Sequence, residues 1–152
     1  MLCRWGPATG VATVTNRAFV GFDAAVTAPT DVQPSTILNI IGMGWDAADA
    51  NIQIMHNDGT GSATKVDLGA SFPVPTVDRA KVYELALFCA PNAATVSWEV
   101  TDLGTGAVAS GTIATDLPAN TTLLAPRGWM SVGGTSSVIG IALMSLYIET
   151  DY

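Results

Sequence analysis

Two glutamates on neighbouring predicted strands are the side chains best suited to acid–base chemistry. The stretches Lys81–Cys89 and Ala94–Asp102 are typical of strands, and a four-residue loop, Ala90–Ala93, would fix their register. That register places Glu84 opposite Glu99, with Cβ atoms roughly 4.5–5.5 Å apart. Glycosidases use carboxylates this close as a nucleophile and an acid, because crowding raises one pKa and leaves the other group ionised. A solvated sheet face is the alternative that we favour, since two acids on one hairpin are common.

A short acidic loop is the second candidate for chemistry. Asp46, Asp49 and Asn51 place three oxygen-bearing side chains close together, a donor set that suits calcium. The spacing lacks the full pattern of a calcium-binding loop, and such side chains more often hydrogen-bond their own backbone in turns. The glycine pairs Gly42–Gly44 and Gly59–Gly61 lack the lysine and the following helix of a phosphate-binding loop. We therefore expect no metal and no cofactor.

The histidine and cysteine content indicates no nucleophile. The single His56 has no serine or cysteine tied to it by spacing, and Cys3 and Cys89 form no metal-binding pattern. The two cysteines permit at most one disulfide, and we interpret them as free buried thiols. We therefore assign no catalytic residue.

The four tryptophans are many for a chain of 152 residues. Trp98 alternates with apolar neighbours and is predicted to lie in the core, whereas Trp45 and Trp129 occupy positions where exposure is expected. Exposed indole rings stack on sugars and on neighbouring protein chains. The candidate binding residues are therefore Trp45 and Trp129 with the acidic pair Asp46 and Asp49. We favour contact with a neighbouring chain or the core over a glycan.

The composition bounds the class of protein. Of the residues, 49% are hydrophobic and only 12% are charged, whereas soluble proteins usually have about a quarter charged. This composition argues against disorder. Because so few charged residues are present to solvate the surface of a monomer, we expect part of that surface to be buried against other chains. Six Lys plus Arg against thirteen Asp plus Glu give a net charge of −7, which disfavours nucleic acid and anionic membranes as partners. No signal peptide is visible, and serines and glycines interrupt the uncharged stretch Gly128–Tyr147, which is interpreted as two strands and not as a membrane span.

Short runs rich in Val, Ile, Thr and aromatic residues recur between turn residues, and helical periodicity is nearly absent. The pattern predicts one all-β domain over residues 1–152, an antiparallel β-sandwich of about ten strands. In the hairpin described above, Leu85 is expected opposite Trp98 and Leu87 opposite Val96, which creates an apolar face. The predicted strands are Leu2–Trp5, Val11–Thr15, Arg17–Asp23, Leu38–Gly44, Asn51–His56, Thr64–Leu68, Lys81–Cys89, Ala94–Asp102, Val108–Ala114, Arg127–Val132 and Val138–Glu149.

Six stretches together carry a likeness to a known group of proteins. They are IGMGWDAAD (Ile41–Asp49), QIMHNDGTG (Gln53–Gly61), DLGASFP (Asp67–Pro73), YELALFCAPN (Tyr83–Asn92), DLPANTT (Asp116–Thr122) and SLYIETDY (Ser145–Tyr152). As a set, over nearly the whole chain, they resemble phage and prophage virion proteins that carry a concanavalin-like jelly-roll domain. The resemblance implies a jelly-roll sandwich and a non-enzymatic structural protein of the virion, assembled in the cytoplasm of the bacterial host. It supplies no catalytic residues to carry over.

The resemblance also implies a place on the particle and a set of partners. A tail fibre, a tail tip or a capsid surface is expected, where the module binds neighbouring virion proteins and either binds a host-surface glycan or caps the shell. Relatives are longer at the N-terminus, so the chain is either a short capsid-bound or tail-bound version or the distal module of a larger fibre. Two other functions stay open: a carbohydrate-active enzyme using Glu84 and Glu99, and a free lectin-like binding module.

Self-association is expected from the low charge as well as from the resemblance. The resemblance implies a homotrimer, because fibre and decoration modules sit on structures with threefold symmetry. Trp45 or Trp129, with Met43, Met130 or the tail Leu146–Tyr152, is expected to supply part of the contact.

Overall fold

The computed structural model describes residues 1–150. Within them the regular structure is ten β-strands and one short 3₁₀ helix, so the predicted all-β class is confirmed. The strands are β1 (Leu2–Thr9), β2 (Arg17–Asp23), β3 (Ile40–Trp45), β4 (Gln53–His56), β5 (Thr64–Asp67), β6 (Tyr83–Phe88), β7 (Val96–Asp102), β8 (Val108–Ile113), β9 (Ala125–Ser131) and β10 (Gly140–Tyr147), and the 3₁₀ helix is Pro34–Thr36.

The strands form two antiparallel sheets of five strands that share one core, as a sandwich. Sheet A has the order β10-β1-β6-β7-β8, and sheet B has the order β5-β4-β3-β2-β9. The first two strands pair with the last two, β1 with β10 and β2 with β9, whereas the strands between them follow one another as meanders. Consequently β9 and β10 are free edges that lie on the same side of the sandwich.

Ten of the eleven predicted strands are present, with ends that differ by a few residues. The prediction of a strand over Val11–Thr15 is wrong, because this segment forms turns. The side chain of Asn16 donates hydrogen bonds from Nδ2 to the main-chain oxygens of Val11 and Thr13, at 2.8 Å each. These bonds satisfy carbonyl groups that a strand would have paired across a sheet.

The β6–β7 hairpin has the predicted faces but not the predicted register. Leu87 lies opposite Trp98, a shift of two residues from the expected pairing. The cause is the connection 89–95, which is longer than the expected four-residue loop and contains Asn92 with a left-handed φ of 58°. An even shift keeps every side chain on its face, and Val96 is only partly buried. The inward side chains that are buried as predicted are Leu85, Leu87, Trp98 and Val100.

The core between the sheets is built around aromatic rings. The ring centroids of Trp5 and Trp45 are 6.0 Å apart with an interplanar angle of 15°, and Tyr83 packs 5.9 Å from Trp5. Trp45 Nε1 donates to Asn16 Oδ1 at 2.6 Å, and Trp5 Nε1 donates to Met43 Sδ at 3.2 Å. Such aromatic pairs contribute about 0.5–1.5 kcal/mol each beyond the burial of their area. The stack therefore fixes β1 of sheet A against β3 of sheet B.

A second, smaller apolar cluster lies on the outer face of sheet B. Gly42 leaves room for the ring of Phe19, because a Cβ at this position would lie 2.9 Å from Phe19 Cζ. Ile37, from the connection between β2 and β3, packs against this face. Sheet B therefore carries buried apolar side chains on both faces. The cluster consists of Phe19, Ile40 and Met55, with Ile37, Ala63 and Trp129 packed against them.

Candidate functional site

Trp45 and Trp129, the two tryptophans expected at the surface, lie on opposite faces of sheet B. Trp45 pairs with Ala18 on the inner face and is 0% exposed. Trp129 pairs with Phe19 on the outer face and is half-buried. The prediction that Trp45 is exposed is therefore wrong, because Trp5, from a strand distant in sequence, stacks on it. The two indoles cannot form one binding platform.

The acidic loop after β3 is a closed cluster of ion pairs. The ammonium of Lys65 lies 2.6 Å from Asp46 Oδ2 and 2.8 Å from Asp49 Oδ2. Burial lowers the pKa of Lys65, but the hydrogen bonds and charges of the two aspartates outweigh this effect and raise the pKa above its ordinary value. Asn51 donates to a different carboxylate, that of Asp67. The oxygens of this loop therefore surround a lysine, and across residues 1–150 no three His, Cys, Asp or Glu side chains converge as metal ligands.

Glu84 and Glu99 do not face each other across the hairpin. Glu84 lies opposite Thr101, and Glu99 lies opposite Ala86, on the outer face of sheet A. The prediction of an opposed pair is wrong, because the longer connection shifts the pairing of β6 with β7 by two residues. Arg4 Nε donates to Glu84 Oε2 at 2.6 Å, so one of the two carboxylates already has a cationic partner.

A buried ion pair fixes the turn between β7 and β8. Asp102 is fully buried, and its Oδ2 lies 2.5 Å from Lys81 Nζ, while its Oδ1 accepts the main-chain N–H groups of Gly104 and Thr105. Burial raises the pKa of Asp102, but Lys81 and these hydrogen bonds outweigh it and hold the pKa below its ordinary value. Burial and the charge of Asp102 raise the pKa of Tyr83 well above its usual range. Both oxygens of Asp102 are engaged within the fold, so the cluster is structural.

The two cysteines are free and lie in different environments. Cys3 is buried, and Cys89 is exposed in the connection 89–95. The prediction of two free thiols is confirmed, but the prediction that both are buried is wrong for Cys89, because the longer hairpin connection carries it into solvent.

A continuous exposed apolar surface lies along β10, the free edge strand of sheet A. β10 pairs with β1 on one side only. Met144 has no partner on β1, because the register shifts between Arg4 and Trp5, which makes a β-bulge. We define the β10 seam as five side chains exposed by 56, 55, 42, 59 and 37%: Leu143, Met144, Leu146, Tyr147 and Ile148.

The seam overlaps part of the contact surface expected from the sequence. Leu146 and the residues that follow it to Thr150 are exposed. Met43 and Met130, proposed for the same contact, are buried in the core, so that part of the prediction is wrong. Asp151 and Tyr152, at the end of the predicted tail, lie outside the described residues.

Behind the seam, the two sheets do not close completely. An apolar cleft of about 220 Å³ opens between β10 and β9, and its lining includes Cys3, Ile141, Leu143 and Leu146. Gly128 on β9 provides the space that Ile141 occupies, because a Cβ at Gly128 would lie 2.8 Å from Ile141 Cδ1. The inward side chains of β10 are therefore packed on one side and open on the other.

The seam is also uncharged. Residues 140–148 contain no ionisable side chain apart from the phenol of Tyr147, although the chain as a whole has a net charge of −7. Arg4 on the neighbouring strand is paired with Glu84. An uncharged strip on an acidic protein is the region where two acidic surfaces repel each other least.

No protein-family model matches the chain, and no match is found among curated proteins or among solved structures. None of the helical structure in residues 1–150 is long and apolar enough to cross a membrane. The β10 seam, with the cleft behind it, is the candidate functional site, and its geometry is that of an interaction surface.

Proposed function

We propose that this chain is a non-enzymatic structural module of a bacteriophage virion, on a tail fibre, a tail tip or the capsid surface. It binds neighbouring virion proteins, and it binds copies of itself through the β10 seam. The exposed, uncharged seam is the observation that carries the proposal. The six stretches that resemble phage virion proteins support the setting, and one of them, Ser145–Tyr152, overlaps the seam.

An edge strand with no neighbour on its outer side is a site where another strand can pair. Its outer main-chain N–H and C=O groups are unpaired and offer a template to any other strand. Soluble proteins usually protect such an edge with lysine or proline, and β10 contains neither. Its bulge at Met144 is the one such device present. Apolar side chains exposed on both faces of the strand are stable in water only at a cost, which a partner removes by covering them.

The resemblance further implies a host-surface glycan as ligand and three copies around one axis. Of the four candidate binding residues, Trp45 lies in the core, and Asp46 and Asp49 are paired with Lys65. Glycan contact at that end of sheet B would therefore depend on the half-buried Trp129. The hydrolase alternative gains no support from the geometry, because its two glutamates are not opposed.

Purified phage particles test the proposal. An antibody against the chain, applied to particles made by the bacterium that carries this gene, should label the tail or the shell in electron micrographs. The chain should also remain with the particles through a density gradient. A chain found only outside the particles would overturn the proposal.

A matched pair of variants tests the role of the seam. Leu143→Lys places a charge in the seam and is expected to be lost from the particles. Leu103→Lys, at a side chain 43% exposed in the turn beyond β7 at the far side of sheet A, is expected to be retained. Equal retention of both variants would remove the seam from the proposal.

A further inference from the structure

The free edge of β10 exposes main-chain groups as well as apolar side chains. We infer that β10 pairs in antiparallel fashion with β10 of a second copy of this chain, so that two copies of sheet A form one continuous sheet. The inference rests on the proposed function, since it names the partner of the same seam and the way in which that partner binds.

Charge favours a second copy as the occupant. Two copies of a chain with a net charge of −7 repel each other over most of their surfaces, but residues 140–148 carry no charge at neutral pH. In an antiparallel pair, Glu149 of one copy lies beyond the first residues of the other strand, near Gly140, so no two carboxylates meet. A strongly basic partner would gain nothing from this strip, whereas an identical apolar strip matches it.

Hydrogen bonding favours a dimer of two β10 strands over three copies of β10 around a threefold axis. When the seam is covered, the outward N–H and C=O groups of β10 lose water and need partners. A twofold antiparallel pair supplies them reciprocally, because each strand offers the other its donors and acceptors. Three copies of β10 around a threefold axis can pack their side chains but leave edge groups buried without partners. An unpaired buried group costs more than a formed hydrogen bond contributes.

The face on which each side chain of β10 lies limits the registers in which two copies of β10 can pair. Leu143 and Leu146 line the cleft on the inner face, whereas Tyr147 lies on the outer face, opposite the exposed Leu2. Paired residues must lie on the same face, which holds when Leu143 of one copy is opposite Leu146 of the other. The same register sets Ala142 opposite Tyr147 on the outer face. It also brings the apolar side chains at the mouth of one cleft against those of the other.

The molar mass of the purified full chain tests the inference. Light scattering after size exclusion should give twice the 15.7 kDa of one chain. Leu143→Lys and Met144→Lys, both at side chains more than half exposed, should reduce the mass to that of one chain with an unchanged circular dichroism spectrum. Leu103→Lys should keep the doubled mass. A monomer at micromolar concentration, or the trimer that the resemblance implies, would overturn the inference.

Amide hydrogen exchange separates strand pairing from other contacts. The amides of β10 that point away from β1 should exchange slowly in the wild-type chain and rapidly in Leu143→Lys. Rapid exchange of these amides in a wild-type dimer would mean that the copies meet elsewhere, and the inference would fail.

The register has its own test in a background with Cys3→Ala and Cys89→Ser, because Cys3 lies opposite Leu146 and would compete for a cysteine placed there. Mixing Leu143→Cys chains with Leu146→Cys chains should give a disulfide-linked dimer that neither variant forms alone. A link that forms as readily in either variant alone would exclude this register and with it the proposed pairing. A solution dimer absent from the particles would overturn the proposed function alone, whereas a monomeric chain found in the particles would overturn this inference alone.

Discussion

The imidazole of His56 and the main chain of Asp116 join two segments that are 60 residues apart. His56 Nδ1 lies 2.9 Å from the carbonyl oxygen of Asp116. The carboxylate of Asp116 accepts hydrogen bonds from the main-chain N–H of Asp58 and from the N–H and hydroxyl of Thr64. Asp116 adopts a left-handed φ of 52°, which aspartate and asparagine tolerate better than most residues. One residue therefore fastens the loop after β8 to the β4–β5 hairpin.

Replacing Asp116 should release this loop. Asp116→Ala removes the carboxylate that pairs three donors and should lower the free energy of unfolding by about 1.5–3 kcal/mol. Asp116→Asn keeps an acceptor oxygen and tolerates the left-handed backbone, so its loss should be smaller. Urea unfolding of the two variants measures the losses, and an unchanged free energy of unfolding in Asp116→Ala would show that the carboxylate does not fasten the loop.

The buried ion pair of Asp102 should matter more than the exposed pair of Glu84. Lys81→Met leaves the fully buried Asp102 without its cation and should cost about 2–3 kcal/mol in the free energy of unfolding. Arg4→Met removes a cation whose side chain is 53% exposed and should cost less than about 1 kcal/mol. Urea denaturation of both variants at pH 7 provides the comparison. A larger loss for Arg4→Met would contradict this account of burial.

Acid should destabilise the fold through the carboxyl groups whose pKa is lowered in the folded state. Burial raises the pKa of Asp116, but the Thr64 hydroxyl, two main-chain N–H groups and His56 outweigh it, so its pKa, like that of Asp102, lies below the ordinary value. Such groups contribute their stability above the ordinary carboxyl pKa of about 4, and this contribution is lost as the pH falls through the lower folded-state pKa.

Urea midpoints measured from pH 7 down to pH 2 test this dependence. The midpoint of the wild-type chain should fall below about pH 4. Asp102→Asn should be less stable at pH 7 but should lose less stability on acidification. An acid dependence identical to that of the wild-type chain would show that Asp102 does not contribute to it.

The two thiols should differ in reactivity. Burial raises the pKa of the Cys3 thiol and shields it from reagent, whereas Cys89 is exposed. A thiol reagent at neutral pH should therefore modify one cysteine per chain in the native state and two after unfolding. Cys89→Ser should abolish the native reaction, and rapid reaction of Cys3 in that variant would mean that the cleft opens widely.

The positions of the strands follow from local patterns. β2 was predicted as Arg17–Asp23 and has these bounds, because turn residues flank an apolar run. The register of the β6–β7 hairpin could not be predicted from such patterns. It depends on the length of the connection 89–95, which contains Asn92 with a left-handed φ. The alternation of apolar residues in the two strands does not reveal that length.

The environment of Trp45 and the fastening role of Asp116 depend on distant partners. Trp45 ends a strand beside an acidic loop, which favours exposure locally, but Trp5 and Asn16 enclose it from elsewhere in the chain. Asp116 acts on residues that are 52 and 58 positions away. Of the β10 seam, only the part from Leu146 onward was predicted as a contact. The apolar run of β10 is typical of a buried strand, and no local pattern shows that the strand lies at an edge.

The pairing of β1 with β10 also means that sheet A cannot be completed until β10 has been synthesised. Within sheet A, β1 is synthesised before the other four strands, and β10, one of its two neighbours, is synthesised after them. Until β10 is made, β1 is a free edge, and Cys3 and Trp5 on it lack one of the two strands, β6 and β10, that pair with them in the finished fold. Nascent chains with open edges are prone to associate with one another. Translation that stalls before β10 should therefore yield a chain that needs a chaperone, whereas a chain that includes β10 covers this edge of β1.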